Sequence, residues 1–341
     1  MEILARSSYV RRKDMDSVLN CLVTDRLCPG DFTDRFLKIA KERLGFEYGI
    51  ALRSTMVALD VALDCLGLAP GDSIALSALS QAWAYKVLKA RGLAPVWLDV
   101  DTASASLTSE SLKRMASEPV KALYLAEPWG IMPDPAILVD LGIPVIEDAT
   151  YSIGAGTGEA KAGFLGAVTI VGLEHACSIT AGGGALLFAP GRREAQALRN
   201  VSEGLLDEER MGDMNAALAL SQVKDMGKFH EKRRELADLY AQSLARSRKR
   251  LLASACDCEP SNFGCVVLLE SGIKDVRSYA KKKDVDTAMA FDGTCSAHGF
   301  VPEGLCPLAA SLVNRAVAFP LNQRIGKNAA QKIAKVLATL P

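Results

Sequence analysis

Seven short apolar runs punctuate the first part of the chain. They lie at 48–52 (YGIAL), 73–79 (SIALSAL), 94–100 (APVWLDV), 121–127 (KALYLAE), 143–148 (IPVIED), 167–172 (AVTIVG) and 184–189 (GALLFA). Most are apolar at consecutive rather than alternate positions, which predicts strands covered on both faces. The stretches between them carry helical spacing, as at Val57, Leu59, Val61, Leu63 and Leu66. Strands that alternate with helices predict an α/β fold with a mostly parallel seven-stranded sheet flanked by helices.

The pattern changes near residue 211. The segment MNAALALSQVKDMGKFHEKRRELADLYAQSLARSRKRLL predicts one long or two shorter amphipathic helices. Its basic end, RSRKRLL, is read as a solvated helix end. A smaller α+β segment follows, with a strand at GCVVLLE and a last helix at 327–339. The expected division is a large domain with an N-terminal arm over 1–235 and a small domain over 236–341.

Composition narrows the function classes. The 341 residues are 49% hydrophobic and carry 40 basic against 40 acidic side chains. Zero net charge offers no electrostatic case for nucleic acid or an anionic membrane. No apolar run reaches the roughly 18 residues that span a bilayer, and the opening MEILARSSYVRRKDMDS has no signal-peptide core. Nine scattered cysteines without a CxxC pair, with Cys256 and Cys258 one residue apart, fit a reduced cytoplasmic protein with buried thiols. Three histidines, His175, His230 and His298, make a histidine-rich metal centre a poor expectation.

Candidate chemistry gathers at the ends of the predicted strands, where parallel sheets bind ligands. Asp148 closes IPVIED and is read either as a partner for a cation or protonated ring nitrogen, or as a cap of the turn ATYS. Asp99 and Asp101 are read as caps. Ser54 and Thr55 precede an apolar helix whose N-terminus could take an anion. Gly182, Gly183 and Gly184 allow positive φ and close approach, yet no lysine occurs between Lys161 and Lys224.

Taken in order, these segments resemble the DegT/DnrJ/StrS-type sugar aminotransferases, pyridoxal-phosphate (PLP) enzymes of fold type I. LCPGDFTDRF followed by YGIALRSTMVAL is similar to the family's G-x-L-T-x-G turn and Y-A-V-A-V-S-S-G-T-A-A-L. PGDSIALSALS and GLAPVWLDVD resemble PGDEVIVPSFT and GA-x-PVFVDID. IPVIEDATYSIGA resembles VIEDAAQAHGA, and GFLGAVTIVGLEHACSITAGGGALL resembles GSLGDAACFSFYPTKNLGAGEGGAVV. The likeness extends through RMGDMNAALALSQVKD to AVAFPLNQRIGK, almost the full chain.

The resemblance implies roles residue by residue. Asp148 stands where the family pairs an aspartate with the pyridine nitrogen of PLP, keeping the ring an electron sink. The lysine that forms the internal aldimine should lie 29 residues further on, at Cys177. A thiol cannot form an imine. The phosphate-binding serine maps to Gly172, the G-T at the helix start to Thr55 and Met56, and the acidic residue of GEGG to Gly183. The asparagine that reaches the neighbouring subunit's phosphate maps to Glu208, with Arg210 and Met211 kept. The residue after the aspartate turn becomes Tyr151, and Trp83 is the candidate for stacking on the ring.

The implied reading is a divergent homologue of nucleotide-sugar, polysaccharide or secondary-metabolite biosynthesis, a pseudoenzyme with PLP or PMP (pyridoxamine phosphate) lost or weakly bound. It implies a homodimer, or a heteromer with an intact paralogue, with a sugar nucleotide as a conceivable ligand. The alternatives are an active aminotransferase with a relocated lysine at Lys86 or Lys224, a lysine-free PMP-dependent sugar dehydratase using His175, and a catalyst built on Cys177. DTAMAFDGTCSAHG replaces the family's substrate-contacting Y-x-P-x-H region.

Overall fold

A computed structural model describes residues 3–24, 27–245, 247, 249–254 and 256–341. The seven expected strands are β1 (Tyr48–Leu52), β2 (Ser73–Ser77), β3 (Ala94–Leu98), β4 (Ala122–Ala126), β5 (Val145–Asp148), β6 (Val168–Gly172) and β7 (Ala185–Ala189). They form one sheet in the order β1-β7-β6-β5-β4-β2-β3. The pairs β2–β3, β2–β4, β4–β5 and β5–β6 are parallel, while β7 runs antiparallel to both β6 and β1. Five consecutive buried residues in each of β6 and β7 confirm cover on both faces.

The helices are α1 (Arg12–Val23), α2 (Asp31–Leu44), α3 (Thr55–Cys65), α4 (Ala82–Ala90), the single turn α5 (Ser109–Leu112), α6 (Arg192–Ser202), α7 (Asp213–Lys224), α8 (Met226–Leu244), α9 (Ile273–Lys282), α10 (Pro307–Arg315) and α11 (Lys327–Ala338). Six of the seven strands, all but β1, prove shorter than their apolar runs. β2 stops at Ser77, whose hydroxyl accepts the Leu79 N–H at 3.1 Å and turns the chain out of the sheet.

The segment after residue 211 is two helices. Asp225 separates α7 from α8 and binds Arg11 and Lys13 of the N-terminal arm. The basic run RSRKRLL lies partly outside the described residues, and Arg250 and Leu251 form a strand there. This is β8 (Arg250–Leu251), which joins β9 (Cys265–Leu268), β10 (Ala288–Met289) and β11 (Ala316–Phe319) in a second sheet ordered β10-β11-β9-β8. Its core, with Tyr240, Val267, Phe319 and Ile333, packs under α8 and α11.

One cysteine expectation is corrected. Cys256 and Cys258 are joined as a disulfide, because the turn brings their Cα atoms to 5.4 Å, inside the reach of an S–S bridge. Cys28, Cys65, Cys177, Cys265, Cys295 and Cys306 are free thiols. Among the described residues no helix is long and apolar enough to cross a membrane.

Candidate functional site

The carboxyl ends of β1, β5 and β6 open on one cleft of about 330 Å³. Its lining comes from the start of α3 (Ser54, Thr55, Met56), from the approach to α4 (Gln81, Trp83), from the end of β5 (Asp148, Thr150, Tyr151), and from the loop joining β6 to β7 (Glu174, His175, Cys177). The described lining contains two carboxylates and neither lysine nor arginine.

Asp148 caps its turn and also lines the cleft. Oδ1 accepts the Thr150 N–H at 3.1 Å and the Thr150 hydroxyl at 2.5 Å, while Oδ2 accepts the Tyr124 hydroxyl at 2.6 Å. Burial raises the pKa of the Asp148 carboxyl, and the Thr150 and Tyr124 hydrogen bonds hold it partly back. Behind it sit two further buried carboxyls. Glu147 accepts the N–H groups of Gly163, Leu165 and Gly166 at 2.5–3.0 Å. Glu127, hydrogen-bonded by Ser152, is pushed well up, first by burial and then by the charge of Glu147. Both causes favour the protonated form of Glu127.

The loop 173–184 answers what its glycines do. Gly182, Gly183 and Gly184 have φ of +70°, +133° and +115°, a left-handed path open to glycine. Leu173 N–H donates to Gly184 O at 2.9 Å, so the loop closes as the mouth of an antiparallel pair. Ala176 adopts φ +62° between His175 and Cys177. The two therefore do not share a strand face. His175 is exposed and its Nδ1 meets Ser8 Oγ of the arm at 2.8 Å. Cys177 is 6% exposed, and burial pushes its thiol up to about 12. A thiol that stays protonated at neutral pH counts against Cys177 as a nucleophile.

The remaining predicted residues fall as follows. Thr55 is buried at the first position of α3, where Ser54 Oγ accepts the Val57 N–H at 3.2 Å, and Met56 is 45% exposed at the cleft mouth. Trp83 stands edge-on to Tyr124 at 6.3 Å, and Tyr151 stacks on Phe263 at 4.3 Å. Gly172 lies beneath the lining, and a Cβ there would meet Thr55 Cγ2 at 2.7 Å and Thr150 Oγ1 at 3.0 Å. Glu208 is exposed and outside this chain's cleft lining. Lys86 and Lys224 are exposed on α4 and α7, and neither lines the cleft. Asp101 caps its own turn through Ala103 and Ser104, and Asp99 accepts the Leu308 and Ala309 N–H groups at the start of α10.

Family comparison identifies this arrangement. The model of the DegT/DnrJ/EryC1/StrS aminotransferase family matches residues 9–338. The chain belongs to that family. Curated relatives include a GDP-perosamine synthase from Vibrio cholerae, 24% identical over 63% of this chain and 63% of the relative, and one from Caulobacter vibrioides, 25% identical over 70% and 69%. The matched region thus spans less than two thirds of the Vibrio relative's length. Among solved structures, the aminotransferase TlmJ from Streptoalloteichus hindustanus superposes with a TM-score of 0.89 at 20% identity, covering 98% of each chain. A putative sugar aminotransferase from Streptococcus pneumoniae in its PLP form does so with 0.89 at 16% identity, covering 99% and 98%. These likenesses show the fold.

Sequence reasoning passed over Thr150 and Glu174, which line the cleft, Tyr124, which hydrogen-bonds Asp148, and the buried Glu127. Glu127 carried a signal, since it directly follows β4, beside the strand end closed by Asp148. Tyr124 carried none, because its partner lies across a strand pair.

Proposed function

We propose that this member of the DegT/DnrJ/EryC1/StrS family has left lysine-dependent transamination and acts as a non-catalytic subunit or ligand-binding protein in sugar-nucleotide or polysaccharide biosynthesis. The observation that carries the reading is the buried Cys177 thiol in a cleft whose described lining holds no lysine. PLP held as an imine requires an amine. A dianionic phosphate near the loop would meet Glu174, whose Oε2 lies 3.8 Å from a Cβ built on Gly183. The position of the family's phosphate-binding serine, Gly172, has its side-chain space taken by Thr55 and Thr150. The residues present thus do not fit PLP as the family holds it.

The sugar-nucleotide setting rests on the relatives' activities. A homodimer, or a pair with an intact paralogue, follows from the family's shared active sites, and the division into 1–235 and 236–341 belongs to the same proposal. The decisive experiment is reconstitution. Purified protein is incubated with PLP, dialysed and scanned for a visible absorbance band. The expected result is no retained band in the wild type and a retained band in Cys177→Lys. A stoichiometric wild-type band that survives dialysis, with borohydride fixing the cofactor to a defined lysine, would sink the proposal.

A second reading keeps one specific support: His175 lines the cleft with Nδ1 bound to Ser8, leaving Nε2 available. Turnover of a 4-keto-6-deoxy sugar nucleotide with PMP, lost in His175→Asn, would favour the dehydratase.

A further inference from the structure

Arg233 is a buried cation with no anion. It is 2% exposed on α8, and no carboxylate among the described residues pairs with it. Nε donates to Gln323 Oε1 at 3.1 Å and Nη1 to Phe263 O at 2.8 Å, with the guanidinium over the Phe263 ring at 5.0 Å. Nη2 has no acceptor among the described residues. Burial accordingly lowers its pKa to about 10. Isolated buried charges are costly, and such a group is normally paired.

A small cavity of about 20 Å³ lies against this guanidinium. Its wall also holds Asn322, 6% exposed, whose Oδ1 accepts the Arg324 N–H at 3.1 Å while Nδ2 has no acceptor among the described residues. The lid is the N-terminal arm. Arg6 closes one side, stacked on Trp129 at 5.2 Å and tied to Asp292 at 3.5 Å, and Ser7 closes another, with Arg324 Nη1 3.5 Å from its hydroxyl. Donors and positive charge converge there, and no carboxylate lines the space. The volume suits one particle little larger than a water.

We propose that this cavity binds a small monovalent anion, of halide or formate size, between Arg233 and Asn322 beneath the arm. The anion supplies the missing counter-charge and two acceptor contacts. Because Arg6 and Ser7 form the lid, its binding also fastens the arm that carries Ser8 to His175. Sulfate, phosphate and gluconate exceed the space.

The test is thermal unfolding of the full chain in rising chloride, bromide or formate, with gluconate holding ionic strength constant. The expected result is a saturating rise of the midpoint for the three small anions, on the order of 2 °C at tenfold excess over half-saturation. Arg233→Met loses the saturating part. Where that variant fails to fold, Asn322→Leu keeps the guanidinium and is expected to raise the half-saturating concentration several-fold. Crystals grown in bromide should show an anomalous peak within hydrogen-bond distance of Arg233 Nη2. A midpoint that follows ionic strength whatever the anion, an unchanged half-saturation in Asn322→Leu, or a cavity holding water in bromide crystals would each overturn the proposal.

Discussion

Tyr124 and Asp148 are joined across the β4–β5 pair by a 2.6 Å hydrogen bond from the phenol to Oδ2. The register opposes Tyr124 to Ile146 and Ala126 to Asp148, so the bonded pair is a same-face diagonal on neighbouring parallel strands. One strand thereby orients the carboxylate of the next. The hydrogen bond also holds the Asp148 pKa below where burial alone would put it.

Tyr124→Phe removes that donor and keeps the ring. The expected cost is about 1–2 kcal/mol in chemical denaturation, the penalty for a buried acceptor left with fewer partners. The carboxyl pKa of Asp148 should rise further, read as a shift in the carboxyl titration followed by NMR. An unchanged unfolding midpoint would show that the bond contributes nothing.

Glu127→Gln tests the raised carboxyl. The folded-state pKa of Glu127 stands well above the ordinary 4.5. Between those values the folded protein binds more protons than the unfolded chain, so this group's stabilising contribution is present at low pH and is lost as pH rises through the window. Glutamine mimics the protonated acid. The variant should match the wild type in mild acid, exceed its stability in mild alkali, and flatten the pH slope.

His230 has the opposite sign. Burial lowers its pKa from 6.5 to about 4, and Nε2 has no partner among the described residues. The folded state holds the ring neutral, so its contribution is complete above 6.5 and is lost as pH falls toward 4. Full loss amounts to about 3 kcal/mol. Denaturation midpoints of the wild type should fall across that window, and His230→Gln should remove this part of the fall.

Much of this was legible in the chain, for reasons particular residues show. β6 and β7 are buried at every position and apolar at all but Thr169, because both faces are covered, so consecutive runs marked them. Cys177 could be placed because the loop that carries it is bracketed by two such strands. The rest depends on contacts between distant segments. Ser8 meets His175, and Arg233 meets Phe263 and Gln323, and no local pattern announces either. The Cys256–Cys258 bridge escaped for another reason: a one-residue spacing matches no common framework, and the local turn alone brings the sulfurs together.

Gly172→Ser restores the family's residue type in a space already filled. Its Cβ would lie 2.7 Å from Thr55 Cγ2 and 3.0 Å from Thr150 Oγ1. Overpacking of this kind costs about 1–3 kcal/mol. Thr150→Ala vacates the space but also strips a donor from Asp148 and the acceptor of the Gly172 N–H. The double variant should therefore be more stable than the sum of the two single losses by about 1 kcal/mol or more, measured as a double-mutant cycle.

Alkylation decides the chemistry left to Cys177. With the thiol pushed up to about 12, on the order of one molecule in 100,000 is ionised at neutral pH. Cys28 is exposed and free. Brief iodoacetamide treatment of the native protein, read by peptide mass spectrometry, should label Cys28 and leave Cys177 unmodified, while denatured protein is labelled at both. Burial of the thiol and its neighbours Glu174 and Asp148 all act against the thiolate, with the Glu174 hydrogen bond and Arg233 too weak to reverse them. Labelling of native Cys177 as fast as Cys28 would require an ionised thiol in the cleft, and would return it to consideration as a nucleophile.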